Sequence, residues 1–362
     1  QTFNRRVVQA QLEAKKNPLS LAFAIPDHPW VDAADGAAVR IAMTVGSTAV
    51  ETGRLLQVRE ETASKNMQDE MDVRLSEQRG TVFADLRTGI DIANAKELIS
   101  NKEIATKGFE PGHSDFVISQ DKADDFMSKS KNSTNILSLY INGRELISGD
   151  YSNHLIDAHG YTCDQLKDMH PEIYQWLLER VKPERETNRD KKLRENWWLH
   201  RRSKEDLRSM LSGLKSYIVT VETSKHRFFT TAPENTSPSN LLLCISLESY
   251  FFTGVLSSRI HVLWALAAGG TLEDRPRYNK NICFETFPFP EASETQKATI
   301  RDLAERLDAH RKRQQEQHPE LTLTGMYNVL EKLRSEEPLT AKEKTIHEQG
   351  LVSVLRELHD DL

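Results

Sequence analysis

The tetrapeptide Phe287-Pro288-Phe289-Pro290 constrains the fold of this chain more than any other stretch. Each proline fixes its own φ and disfavours helix in the residue before it. No helix can run across this point, and the chain differs in kind on its two sides. Beyond it, Ser293 with Gln296 and Thr340 with Glu343 have capping-box spacing. Three apolar sets then recur at i, i+3, i+4, i+7: Ile300/Leu303/Ala304/Leu307, Met326/Val329/Leu330/Leu333 and Leu351/Val354/Leu355/Leu358. That spacing puts each set on one face and predicts a module of three helices.

The longer part before the prolines reads as alternating strands and helices. Residues 18–25, an apolar run bounded by prolines, predict a buried strand. Residues 37–47 and 53–62 predict further strands, the first pairing antiparallel with 18–25 across a Pro/Gly-rich loop. Residues 64–112 are polar and weakly patterned, and read as a connector. A strand over 135–141 turns towards Arg144. A helix starts at Pro171, with Ile173, Trp176, Leu177 and Val181 as its apolar stripe. Residues 215–223 and 226–232 are β-rich, and 241–270 begins as a strand and continues as a buried helix.

The 362 residues carry a formal charge of −6, which does not announce a nucleic-acid binder. Local patches say more. Between Arg180 and Arg208 eleven cations, among them Arg185, Arg189, Arg194, Arg201 and Arg202, face six carboxylates, with Trp197 and Trp198 in their midst. Cations interleaved with aromatics suit phosphate contacts and stacking. Lys225, His226 and Arg227 sit together between two β-rich stretches, where a turn reaches a groove or backbone. Arg277, Tyr278, Asn279 and Lys280 form a third group, and Arg and Asn are the side chains that read guanine and adenine edges in pairs of bonds. A loop with Asp27, His28 and Trp30 at a strand's end is a fourth candidate. Each patch also has a plain reading as a solvated turn or a packed aromatic.

Other classes find no support. No glycine-rich phosphate loop, nucleophile elbow, C-x-x-C pair, zinc spacing or clustered acidic metal site is present. Three scattered cysteines imply a reduced, intracellular protein. No apolar run reaches the ~18–20 residues of a membrane helix. The chain opens at Gln1 in what reads as mid-domain sequence, and the expectation is a piece of a longer protein.

Six stretches, taken together and in order, carry a resemblance: `FAIPDHPWVDAADGAAVRIAMTVG`, `YQWLLERVKPERETNR`, `RENWWL`, `YIVTVETSKHRFF`, `GVLSSRIHVLWALAAGG` and `RYNKNICFETFPFP`. They resemble the C-terminal half of the large MmeI-like, adenine-specific DNA methyltransferases of bacterial restriction-modification and phage-defence systems. The resemblance implies three parts. Residues 1–99 would be the tail of a Rossmann-like methyltransferase sheet and a connector. Residues 100–290 would be a mixed α+β target-recognition domain that grips double-stranded DNA, and 291–362 a helical C-terminal module. It also implies that S-adenosyl-L-methionine and the N/D-P-P-Y/F catalytic motif belong to a missing N-terminal methyltransferase region, since neither site occurs in this sequence. By position before `AAVRIAMTVG`, Trp30 would stack on the flipped base. Arg144 and the three basic groups would contact DNA, in a bacterial cytoplasm with no membrane partner. The rival reading is a non-enzymatic DNA specificity module.

Overall fold

The computed structural model describes residues 2–30, 39–49, 52–63, 71–89, 92–129, 134–272 and 275–362. They form two compact units, Gln1–Ala95 and Lys96–Leu362.

The first unit carries a helix, α1 (Thr2–Leu12), and four strands: β1 (Ser20–Trp30), β2 (Val39–Ser47), β3 (Gly53–Ala63) and β4 (Met71–Gly80). The sheet order is β2-β1-β3-β4. β1 is antiparallel to β2 and parallel to β3, and β4 closes the sheet antiparallel to β3. Leu21, Ala24, Leu55 and Val82 are buried against Val8, Leu12 and Leu86. β1 continues through residues 26–30, where the sequence predicts a loop. It pairs with β3 only at Phe23 and Ala24, and its register with β2 shifts between Ile25 and His28. Pro26 and Pro29 therefore fall where the strand has an open side and a bulge, places that tolerate a missing N–H. The sequence pattern predicts no strand over β4, which lies in the stretch read as a connector. Asp72, Arg74, Glu77 and Arg79 mask its alternation, yet two of them pair across to β3: Arg54–Glu77 at 2.7 Å and Arg74–Glu60 at 3.3 Å. Residues 31–36, the rest of the expected loop, and 37–38, the start of the next expected strand, lie outside the described residues.

The second unit is built on two four-stranded sheets. β5 (Ala105–Lys107) leads to β6 (Val117–Ser119), α2 (Gln120–Lys129), β7 (Leu137–Ile141), α3 (Gly143–Ser148) and β8 (Asn153–Ile156). A helical stretch follows: α4 (Cys163–Met169), α5 (Pro171–Arg180), α6 (Lys182–Glu186), α7 (Lys191–Glu195) and α8 (Glu205–Leu211). The chain then adds β9 (Ser216–Val221), β10 (Thr230–Pro233), β11 (Thr236–Pro238) and β12 (Leu242–Ile245). One sheet has the order β10-β9-β12-β5 and is antiparallel throughout; the other has the order β11-β7-β8-β6. Ile173, Leu177 and Val181 are buried as the stripe requires, but the predicted single helix is two, α5 and α6. Two further helices, α9 (Tyr250–Ser257) and α10 (Arg259–Ala268), bend by 60° at Ser258. A short hairpin, β13 (Gly270–Leu272) with β14 (Arg275–Arg277), runs into one π-helical turn, Lys280–Phe284. No single helix among the described residues is long and apolar enough to cross a membrane.

After the prolines come four helices, not three: α11 (Glu294–Gln317), α12 (Leu323–Ser335), α13 (Ala341–Gln349) and α14 (Val352–Asp361). Leu351 has a left-handed backbone, φ 42°, and breaks the chain between α13 and α14. The last apolar face shifts accordingly. Val352, Leu355 and Leu358 are buried, whereas Leu351 and Val354 are exposed. α11 lies against α9 so closely that a Cβ on Gly254 would meet Ile300 at 2.6 Å, which only glycine avoids. The helices also grip the β10 strand electrostatically. Buried Asp308 accepts from Thr230 (2.5 Å) and Thr231 (2.9 Å) and pairs with Arg311 (3.2 Å) and Lys312 (2.7 Å). Arg311, fully buried, also donates to the Phe229 carbonyl (2.7 Å) and the Tyr327 hydroxyl (3.1 Å). The architecture is mixed α+β with several small sheets, as the resemblance implies, and a helical end, as the patterning implies.

Candidate nucleic-acid interface

The last β residue of the short strand β5, Lys107, opens onto a cleft of about 430 Å³. Its walls come from segments far apart in sequence: Lys107 and Glu110, Arg202 and Lys204, Glu222 at the end of β9, Asn240, and Arg277–Asn281. The fold thus brings the end of the basic tract and the Arg277–Lys280 group to one place. Five cations and two carboxylates line it. A Cβ on Gly108 in the same wall would sit 2.2 Å from the Pro238 carbonyl oxygen, so the close approach of β5 to the neighbouring chain requires glycine.

The carboxylates order the cations. Glu222 accepts from Lys107 at 2.7 Å and from Arg277 at 2.9 Å. Burial pushes the Glu222 carboxyl up, but these two donors outweigh it and hold it below the usual range. Glu110 pairs with Arg201 (3.2 Å) and Arg202 (3.1 Å), and Glu285 with Lys280 (2.8 Å). The pairs made by Glu222 and Glu110, whose cations are half-exposed, contribute little stability, ~0–1 kcal/mol each. The ion pairs hold Lys107, Arg202, Arg277 and Lys280 in the cleft wall, beside Asn240, Asn279 and Asn281. Asn279 accepts from the Asn281 N–H at 3.1 Å and so caps the π-turn.

The other candidates divide. Arg202 and Lys204 line this cleft, while Lys192, Arg201 and Arg208 line a second one of about 480 Å³ beside Tyr161 and Trp198. Arg189 and Arg194 are exposed, and Arg194 wraps back onto the Asn188 and Arg189 carbonyls at 2.7 and 3.1 Å. Arg144 is exposed at the start of α3, whose cap is Asn142. Lys225 is exposed and donates to Asn328 of α12 (2.7 Å); His226 bonds the same oxygen at 2.8 Å. That turn is therefore held by the helical module. Trp30, in the first unit, is 48% exposed at the end of β1.

Three expected DNA contacts are interior. Arg185 is buried, donating to the Pro111 carbonyl at 2.9 Å and lying 5.7 Å from the Phe116 ring. Arg227 is buried among backbone carbonyls, and Tyr278 is buried with its hydroxyl 2.8 Å from His261 Nε2. Trp197, expected as a stacking platform, is core, packed edge-on to Tyr174. Charge and aromaticity do not separate a surface cation from a buried one; only neighbours in space do. Lys107 and Asn240 were missed because each lies in weakly patterned sequence. Among the described residues no group of His, Cys, Asp or Glu could hold a metal ion.

An α+β body presenting cations and amides from distant segments in one cleft has the features of a module that grips and reads a polyanion. Residues 88–291 match the family model described as MmeI, target recognition domain, and the chain belongs to that family. Over 90 residues it is 34% identical to DNA methyltransferase A of Bacillus subtilis (strain 168), a match covering 24% of this chain and 10% of that protein. Its fold is similar to the solved structure of the Type IIL restriction-modification enzyme MmeI in complex with DNA. The TM-score is 0.64 at 19% identity, covering 94% of this chain and 43% of that one. The chain spans less than half the length of either.

Proposed function

We propose that this chain is the DNA-reading part of a site-specific DNA methyltransferase acting on adenine N6, and that the Lys107–Arg202–Arg277 cleft faces the duplex. The observation that carries the reading is the convergence of Lys107, Arg202, Lys204, Arg277, Asn279 and Lys280 on one cleft. Lysines and arginines there would meet phosphates, and Arg277 and Asn279 have the donors and acceptors that distinguish base edges in the major groove. The expected result is steep salt dependence. Anisotropy of a labelled duplex pool should show log affinity falling linearly with log salt, by ~0.9 per phosphate neutralised. A flat response would remove the cleft as a phosphate-binding surface.

The methyl donor would be S-adenosyl-L-methionine, supplied by the methyltransferase region from which this chain would be a piece. The chain's own residues do not fit that group, because it has no glycine-rich turn between a strand and a helix to cradle it. Methyl transfer is therefore not assigned to any residue here. Trp30 is the one candidate for a role beside the reacting base. Its half-exposed ring at the end of β1 can stack on an extruded base and offset part of the lost stacking. In the complete enzyme, Trp30→Ala should lower methylation of a target duplex about tenfold or more while changing duplex affinity little, as a loss of ~1–3 kcal/mol per stacked base implies. Equal losses in both would assign Trp30 to structure.

A further inference from the structure

We propose that Arg227 is a positioning residue: its buried side chain clamps the Arg275–Lys280 loop to the end of β9, so that Arg277, Asn279 and Lys280 meet DNA in one arrangement. This rests on the reading of the cleft as the DNA-facing surface.

The loop has little to hold it by itself. β13 and β14 are three residues each, too short to be a stable hairpin alone. Pro276 in the middle of β14 offers no N–H. Support comes from behind. Arg227 Nη1 donates to the Val221 carbonyl and to Thr220 Oγ1 (3.1 Å). Its Nη2 donates to the carbonyls of Glu222 (3.3 Å) and Pro276 (3.4 Å). One guanidinium thus joins the end of β9 to the middle of β14. Its carbon lies 4.9 Å from the centre of the Tyr278 ring. The Tyr278 N–H returns to the Glu222 carbonyl at 2.7 Å, and the Ser224 N–H to the Pro276 carbonyl at 3.3 Å.

Among the described residues, no carboxylate is hydrogen-bonded to Arg227. Glu222 turns its side chain outward to Lys107 and Arg277. The cation is therefore held by neutral carbonyls, a hydroxyl and a ring face, an expensive arrangement for a buried charge. Burial brings the guanidinium down to about 10, so it remains charged at neutral pH. A planar fork with several fixed donors can bridge two strands; a lysine ammonium, a point charge on a flexible stem, cannot reproduce that geometry. The sequence neighbours Lys225 and His226 face α12 instead, so one short turn grips the helical module on one side and the reading loop on the other.

The test uses the whole chain and a randomised duplex pool, selected by binding and sequenced. The wild type should enrich one motif. Arg227→Lys should reduce that enrichment about tenfold, the scale of one lost base contact, while keeping the wild-type salt slope, because the buried group touches no phosphate. Enrichment equal to wild type would overturn the clamp. If Arg227→Lys fails to fold by circular dichroism, Thr220→Val replaces it. That variant removes one acceptor of the guanidinium, and folded protein with undiminished enrichment would again overturn the proposal. Arg277→Ala with Lys280→Ala separates the two readings. If that double variant leaves both enrichment and salt slope intact, the cleft is not the DNA surface and the clamp falls with it. If it degrades both while Arg227→Lys changes neither, only the clamp is lost.

Discussion

Asp308→Ala is expected to lower the unfolding free energy by about 3–5 kcal/mol, the cost of leaving a buried cation without its partner. The carboxylate holds Arg311 and Lys312 on α11 and accepts from Thr230 and Thr231 on β10. Removing it leaves fully buried Arg311, among the described residues, with only the Phe229 carbonyl and the Tyr327 hydroxyl. It also leaves the Thr230 hydroxyl without an acceptor. Urea denaturation followed by circular dichroism measures the loss; a change below ~1 kcal/mol would show that the cluster is not what fixes the helices to the sheet. A pH signature accompanies it. Burial pushes the Asp308 carboxyl up, but Arg311 and Lys312 more than offset this and hold it below its ordinary value. Its contribution is thus fully present above about pH 4, the unfolded value, and is lost as pH falls through the lower folded value. Asp308→Asn should remove that part of the acid sensitivity.

The second large effect concerns the cleft. Arg277→Ala is expected to weaken binding to the target duplex by about 1–3 kcal/mol and to relax preference at one base position. Lys280→Ala should weaken binding to all sequences alike and reduce the salt slope by about one. The contrast follows from the two side chains. Arg277 offers a planar fork held by Glu222, whereas Lys280 offers a compact charge held by Glu285. Parallel anisotropy titrations on target and scrambled duplexes distinguish them. Identical behaviour of the two variants would mean that the cleft contacts phosphates only.

What could be read from the sequence was what periodicity and steric rules encode locally. The break at Pro288–Pro290, the buried face of Leu303, Ala304 and Leu307, and the antiparallel pairing of β1 with β2 all follow from such rules. β4 was invisible because its partners are charges whose complements lie on β3. The status of single cations was equally hidden. Arg185, Arg201 and Arg202 look alike in the chain, yet one is core and two face clefts. The site was legible as a set of basic patches, and its assembly was not, because Lys107 and Lys280 meet only after β5 is added beside β12.

The hydrogen bonds around the first and last residues of the second unit's sheet region set an order of events. Leu98 donates to the Glu285 carbonyl, and the Asn101 amide reaches the carbonyls of Phe284 and Phe287, the latter 186 residues away. β5 likewise waits for β12. Such distant pairings carry a loop-closure entropy that nearby contacts do not offset. On a ribosome adding ~5–20 residues per second, β5 stays unpaired for many seconds before its partners emerge. The cleft proposed to meet DNA is therefore among the last features to form during synthesis, and β5 must stay free of premature pairing until β12 emerges.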